Sequence, residues 1–329
     1  MSDVFGVRVT ADLNILDSLI IICNNASGQT EPAVVWAGQN YFVTYLDAVF
    51  ENRGGTVMVQ RVSPQGVVLG SGANIGQGDY RPGIAYDGVR CLIVWCPEYL
   101  GVKGRFVNTG GEPDGPVFDI TALQASSAMP AVKFGSQGYL VVWADFSPGG
   151  TDLDIYGQII TASGMLAGDR FRIADGQAIQ SSPAIAFDGT TGEFFVVWVE
   201  NNEHICGRAV SANGVLTGTV FTVSNTTPYP RQYPSAVAGM ASFLVAWSEF
   251  HVDFDVYGNV DINVGIGEGE PERRVETLPA TSSLLRDHLS GEKTLYDIMG
   301  RRVTGAYIGP GVYFLEDENC RLQKVIVIR

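Results

Sequence analysis

The sequence predicts an all-β chain folded as a β-propeller, and three observations predict it. Short apolar runs rich in Val, Ile, Tyr and Phe, bounded by Gly, Asp and Ser, fill most of the chain. They return with a period near 50 residues, marked by Pro32, Pro82, Pro130, Pro183 and Pro234. No stretch holds apolar residues at helical spacing over three turns. Four strands in a unit of that length is the blade of a propeller, where each blade buries both faces against its neighbours. Forty glycines and only 17% charged residues suit the many tight turns this needs.

The chain opens on a third and a fourth strand, Val4–Val9 and Leu19–Cys23, with no inner strands before them. Each later unit starts with a first strand opened by proline: PAVVWAG, PGIAYDG, PAVKFGS, PAIAFDG and PSAVAGM. A proline at a strand's first residue sacrifices no ladder donor. The second strands, YFVTY, CLIVW, YLVVW, FFVVW and FLVAW, end at Tyr45, Trp95, Trp143, Trp198 and Trp247. They are apolar on both faces, so both faces must be covered. Third strands carry a glycine at Gly6, Gly104, Gly157, Gly207 and Gly258, with Val59 in the same place. A turn glycine follows at Gly66, Gly111, Gly164, Gly214 and Gly265.

First and second strands thus occur five times and third strands six. Five four-stranded blades account for this if the N- and C-terminal strands share the last blade, with Leu19–Cys23 added as the fourth strand of the blade begun by Pro234–Trp247. Six blades, with one lacking its inner strands here, is the alternative. The one third strand left over lies outside the blade or pairs with a second molecule in a homo-oligomer. The expected divisions are a propeller over 1–262, a linker over 263–283 and a small β-module over 284–329.

Net charge is −14, with 25 acids against 12 bases in residues 1–262. Such a surface repels a phosphate backbone, so nucleic acid is not an expected partner. No apolar run is long enough to span a membrane. Met1-Ser2-Asp3 leads straight into the first strand, without a signal peptide. The five cysteines show no CxxC spacing, and Cys91 and Cys96 point to opposite faces of one strand.

Chemistry is harder to find. His204, His251 and His288 stand outside any motif, and no GxSxG, HExxH or P-loop appears. A glycosidase needs two carboxylates converging on the axis. The inner strands offer Val35, Ile84, Val132, Ile185 and Val237, with carboxylates only at the turns of Asp87 and Asp188. One constellation recurs, an acid just past each second strand: Asp47, Glu98, Asp145, Glu200 and Glu249. Calcium could suit these oxygens with Asp152/Asp154 and Asp253/Asp255, but no EF-type loop is present and no cofactor is expected. On the same face stand Phe50, Tyr80, Tyr99, Phe146, Tyr229, Tyr233 and Phe250. Aromatics and acids on a rigid rim suit a glycan or a surface protein. The expectation is therefore a non-catalytic binding or structural module, with a secreted carbohydrate-active enzyme as the alternative.

From Lys293 the chain reads KTLYDIMGRRVTGAYIGPGVYFLEDENCRLQKVIVIR. The segments Tyr296-Asp297, Gly300-Arg301, Pro310-Gly311 with Tyr313, and Lys324 through Arg329 carry a resemblance. The segment resembles the type A C-terminal sorting domain of the type IX secretion system, and the repeats look like those of bacterial surface propellers. That resemblance implies a secreted or cell-surface protein whose C-terminus meets the secretion translocon and its processing machinery. It implies no chemistry for the propeller.

Overall fold

The computed structural model describes residues 3–10, 15–16, 19–48, 54–97, 101–121, 128–146, 152–174, 176, 178–225, 227–239, 242–250, 254–262, 276–279, 294–297, 311–316 and 322–328. A hairpin comes first, β1 (Val4–Gly6) paired antiparallel with β2 (Ile20–Cys23). Blade 1 is β3 (Gly28–Ala37), β4 (Asn40–Ala48), β5 (Gly55–Val62) and β6 (Val68–Gly78). Blade 2 is β7 (Tyr80–Tyr86), β8 (Cys91–Cys96), β9 (Lys103–Val107) and β10 (Phe118–Asp119). Blade 3 is β11 (Ala128–Phe134), β12 (Tyr139–Phe146), β13 (Leu153–Ile160) and β14 (Leu166–Ala174). Blade 4 is β15 (Gln180–Asp188), β16 (Glu193–Glu200), β17 (His204–Ser211) and β18 (Leu216–Thr222). Blade 5 is β19 (Arg231–Ala238), β20 (Phe243–Phe250) and β21 (Phe254–Ile262).

The chain is therefore an all-β propeller of five blades, each an antiparallel meander in sequence order from the axis outward. A further sheet, ordered β22-β25-β24-β23, joins β22 (Glu276–Pro279), β23 (Thr294–Asp297), β24 (Gly311–Glu316) and β25 (Leu322–Ile328). Its first strand lies inside the stretch read as linker and runs parallel to β25.

The doubly apolar second strands explain the packing. Trp95, Trp143, Trp198 and Trp247 are all buried, and each faces the blade before its own. Trp95 also donates its indole N–H to the Gln77 carbonyl of blade 1 at 2.7 Å. The fit leaves no room for side chains opposite it: a Cβ on Gly76 would stand 2.5 Å from that ring. The equivalent Tyr45 of blade 1 packs instead on the N-terminal hairpin, with Val4, Cys23, Val43 and Val62.

One expectation fails here. The Leu19–Cys23 segment does not add a fourth strand to the blade begun by Pro234–Trp247: β2 pairs with β1, and the sheet of blade 5 has three strands among the described residues. The reason is local. β2 follows β1 by 13 residues and pairs with it at a small loop-closure cost, whereas a place on the outer edge of β21 would bring together residues more than 200 apart. The hairpin instead spreads its apolar face over blade 1.

Candidate functional site at the axial mouth

The first strands of all five blades enclose an axial cavity of about 490 Å³. How its mouth is furnished follows from a repeated irregularity. Each first strand breaks register around its proline, between Thr30 and Ala33, Tyr80 and Gly83, Ala128 and Ala131, Ser181 and Ala184, and Gln232 and Ser235. A bulge bends the strand and re-aims one side chain. The residue before the proline has positive φ in four blades: Glu31 at 54°, Met129 at 54°, Ser182 at 51° and Tyr233 at 54°. That backbone costs about 1–2 kcal/mol per residue and persists because the surrounding ladder imposes it.

These residues meet one another at the mouth. Arg81 Nε donates to Glu31 Oε2 at 2.8 Å, from blade 2 to blade 1. The same guanidinium lies 4.2 Å from the Tyr233 ring centroid, reaching blade 5. Ser182 Oγ stands 3.2 Å from Met129 Sδ. Glu31, Arg81 and Lys133 are the charged residues that line the cavity. Tyr233 was expected on this face; Glu31 and Arg81 were not. Their only signal in the sequence is that each precedes a strand-opening proline.

The expected ring of acids has another use. Asp145 is 3% exposed and accepts from Arg170 at 2.9 Å; Glu249 is 2% exposed and accepts from Arg231 Nε at 2.9 Å and Thr227 at 3.1 Å. Asp47 accepts from Ser27 and Gln29, and Glu200 from the Cys206 thiol at 3.6 Å. Each holds its own blade together, so Asp145 and Glu249 are corrected from ligand groups to interior ion-pair partners. A buried carboxylate needs that pairing. Phe146, Tyr229, Tyr233 and Phe250 are exposed on this face. Tyr80 opens β7 opposite Cys96. Phe50, Glu98 and Tyr99 lie outside the described residues, as do Gly300, Arg301, Pro310 and Arg329 of the C-terminal motif. Tyr296 and Asp297 fall in β23, Gly311 and Tyr313 in β24, and Lys324 in β25.

Burial pushes the Cys91, Cys96 and Cys206 thiols up to about 12, which leaves them inert at neutral pH. Among the described residues no group of three His, Cys, Asp or Glu could hold a metal ion.

No protein-family profile and no curated protein matches the chain. Solved structures do. An α-L-arabinofuranosidase of family GH93 from Fusarium graminearum, in complex with arabinobiose, is similar at TM-score 0.56 and 13% identity, over 74% of this chain and 81% of that one. A protein of unknown function from Dyadobacter fermentans is similar at TM-score 0.53 and 12% identity, over 79% and 84%. An endo-arabinase from Bacteroides thetaiotaomicron is similar at TM-score 0.46 and 10% identity, over 73% and 95%. At these identities the likeness shows the fold. The non-catalytic, non-enzyme expectation is corrected on this ground: the solved structures above TM-score 0.5 with a stated activity are an α-L-arabinofuranosidase in two complexes, which favours the alternative reading, taken up below as a proposal.

Proposed function

We propose that the propeller is a glycoside hydrolase acting on arabinose-containing oligo- or polysaccharide at the axial mouth. The observation that carries this reading is the 490 Å³ cavity lined by Glu31 and Arg81, with the Tyr233 ring against the Arg81 guanidinium. Concave sites of a few hundred Å³ with a few convergent polar groups suit one or two sugar units. Support also comes from the arabinobiose complex of the Fusarium enzyme, whose chain this one resembles in fold.

Glycoside hydrolysis divides its work between two carboxyl groups, one protonating the leaving oxygen and one acting as base or nucleophile. Glu31 supplies one. Arg81 fixes its rotamer through a charge-assisted hydrogen bond. The Tyr233 ring, beside the same guanidinium, offers an apolar face to a sugar. The second carboxyl is assigned to Glu98 or Asp253, each of which stands between a second and a third strand in the sequence.

The test is hydrolysis of linear arabinan and of a chromogenic α-L-arabinofuranoside by wild type, Glu31→Gln, Glu98→Gln and Asp253→Asn. Wild type should release sugar, and Glu31→Gln should lower kcat by roughly 10²–10⁴ at an unchanged melting point. Turnover unaffected by Glu31→Gln would overturn its role; no turnover on any arabinose-containing substrate would overturn the reading itself.

We further propose that the C-terminal strands are a type IX sorting signal and that the enzyme works at the cell surface or beyond. Support comes from the motif residues in β23, β24 and β25 and from the sheet those strands form.

A further inference from the structure

Four junctions between blades are sealed, and the fifth is not. At the third residue of each proline-led run, Ile84, Val132 and Ile185 are buried against the preceding blade. Their counterpart in β3, Val34, is 64% exposed, and Trp36 on the same side is 45% exposed. The opposite wall behaves alike. Ala85 and Ala186 are buried against the following blade, whereas their counterpart in β19, Val237, is 53% exposed. In blade 3 the same place holds Lys133, which lines the axial cavity; blades 1 and 5 thus turn toward each other apolar side chains of the kind that the other junctions cover.

The N-terminal hairpin covers only the outer part of this gap. One face of β1–β2 packs on Val43, Tyr45 and Val62 of blade 1, as the outer half of a preceding blade would. Its other face leaves Phe5 and Ile21 exposed. The sequence of β1 has the third-strand pattern, yet its ladder runs to β2 alone, and no second strand lies along its other edge among the described residues. The count agrees, with six third-strand patterns against five pairs of inner strands.

We infer that the gap between blades 5 and 1 is a docking site for a two-stranded apolar β-hairpin of the chain's own first-and-second-strand type, which completes a sixth blade with β1 and β2. Continuity argues for this occupant. The gap opens on the axial cavity, which Val34, Trp36 and Ser235 also line, and these three with Val237 stand where the sealed junctions bury apolar side chains and carry no charge. A blade second strand, apolar on both faces, fits such walls on both sides, and the bare edge of β1 offers it a ladder.

The probe is a synthetic peptide copying Ala128–Phe146, the β11–β12 hairpin, added to the full chain. At a hundredfold excess over its Kd it should raise the melting midpoint by about 5–10 °C, and a scrambled peptide should not. Val34→Asp and Val237→Asp should leave the midpoint without peptide within about 2 °C, because both side chains are already in water. Each should weaken peptide binding at least tenfold. No rise in wild type, or an equal rise in both variants, overturns the inference. So does a sedimenting dimer that Val34→Asp dissociates, because a second copy would then cover these walls.

Discussion

Arg105 and Arg208 occupy the same place in blades 2 and 4, one residue past the third-strand glycine. Each donates through Nε to a carbonyl of its own blade, Gly115 or Gly218, and through Nη1 to the preceding blade, at Ile75 or Ile173, at 3.0 Å. In blade 5 Asn259 reaches back the same way, to the Val223 carbonyl at 2.8 Å. In these three blades a polar side chain at one place thus ties the sheet to the preceding one, beside the apolar packing. Turn residues matter in a different way. The Asp188 carboxylate accepts the Thr190 N–H at 2.7 Å and the Thr191 hydroxyl at 3.1 Å, and the Thr190 backbone bond above all holds it below the usual carboxylate range. A lowered folded pKa stabilises the fold above the unfolded value, near pH 4, and that contribution fades as pH falls through the folded one. The stability gap between wild type and Asp188→Asn should therefore be constant from pH 8 to pH 5 and shrink toward pH 3 in urea titrations. A gap that stays constant down to pH 3 would contradict this.

At the scale of elements, the second strand is the unit of stability. Trp198 lies fully within the junction of blades 3 and 4, alongside Ile155, Ile173 and Phe194. Trp198→Ala should cost roughly 3–5 kcal/mol, read as a lower urea midpoint with an unchanged slope. A loss under about 1 kcal/mol would show that the junction does not depend on it. These strands were legible because a run such as FFVVW offers no polar face to water. The fourth strands were faint: Leu166–Ala174 is largely exposed, and Phe118–Asp119 spans only two residues. The closure was misjudged for another reason. Strand patterns say what each segment is, not which edges meet, and β1 and β2 pair their inner edges with each other first. Glu31 and Arg81 escaped notice because the bulge aims them at the axis, and a bulge has no residue type of its own at that position.

For the whole molecule, the blades act as a frame and the axis as the place where they all converge. Three blades supply the cluster at the mouth: Glu31 from blade 1, Arg81 from blade 2 and Tyr233 from blade 5. Residues more than 200 apart in sequence meet there only because the ring brings them round. A catalytic mouth built from strand bulges is held more rigidly than one on loops alone, as sugar positioning demands. Four of the five recurring acids, Asp47, Asp145, Glu200 and Glu249, serve the frame instead, and Glu31 is the described carboxylate that lines the cavity. The most direct measurement is a crystal structure of Glu31→Gln, kept from turnover, soaked with arabinobiose. The account predicts a sugar ring against Tyr233, within hydrogen-bonding distance of Arg81 and of the side chain at position 31. A sugar bound on the outer rim instead, or an empty axial mouth at saturating arabinobiose, would contradict it.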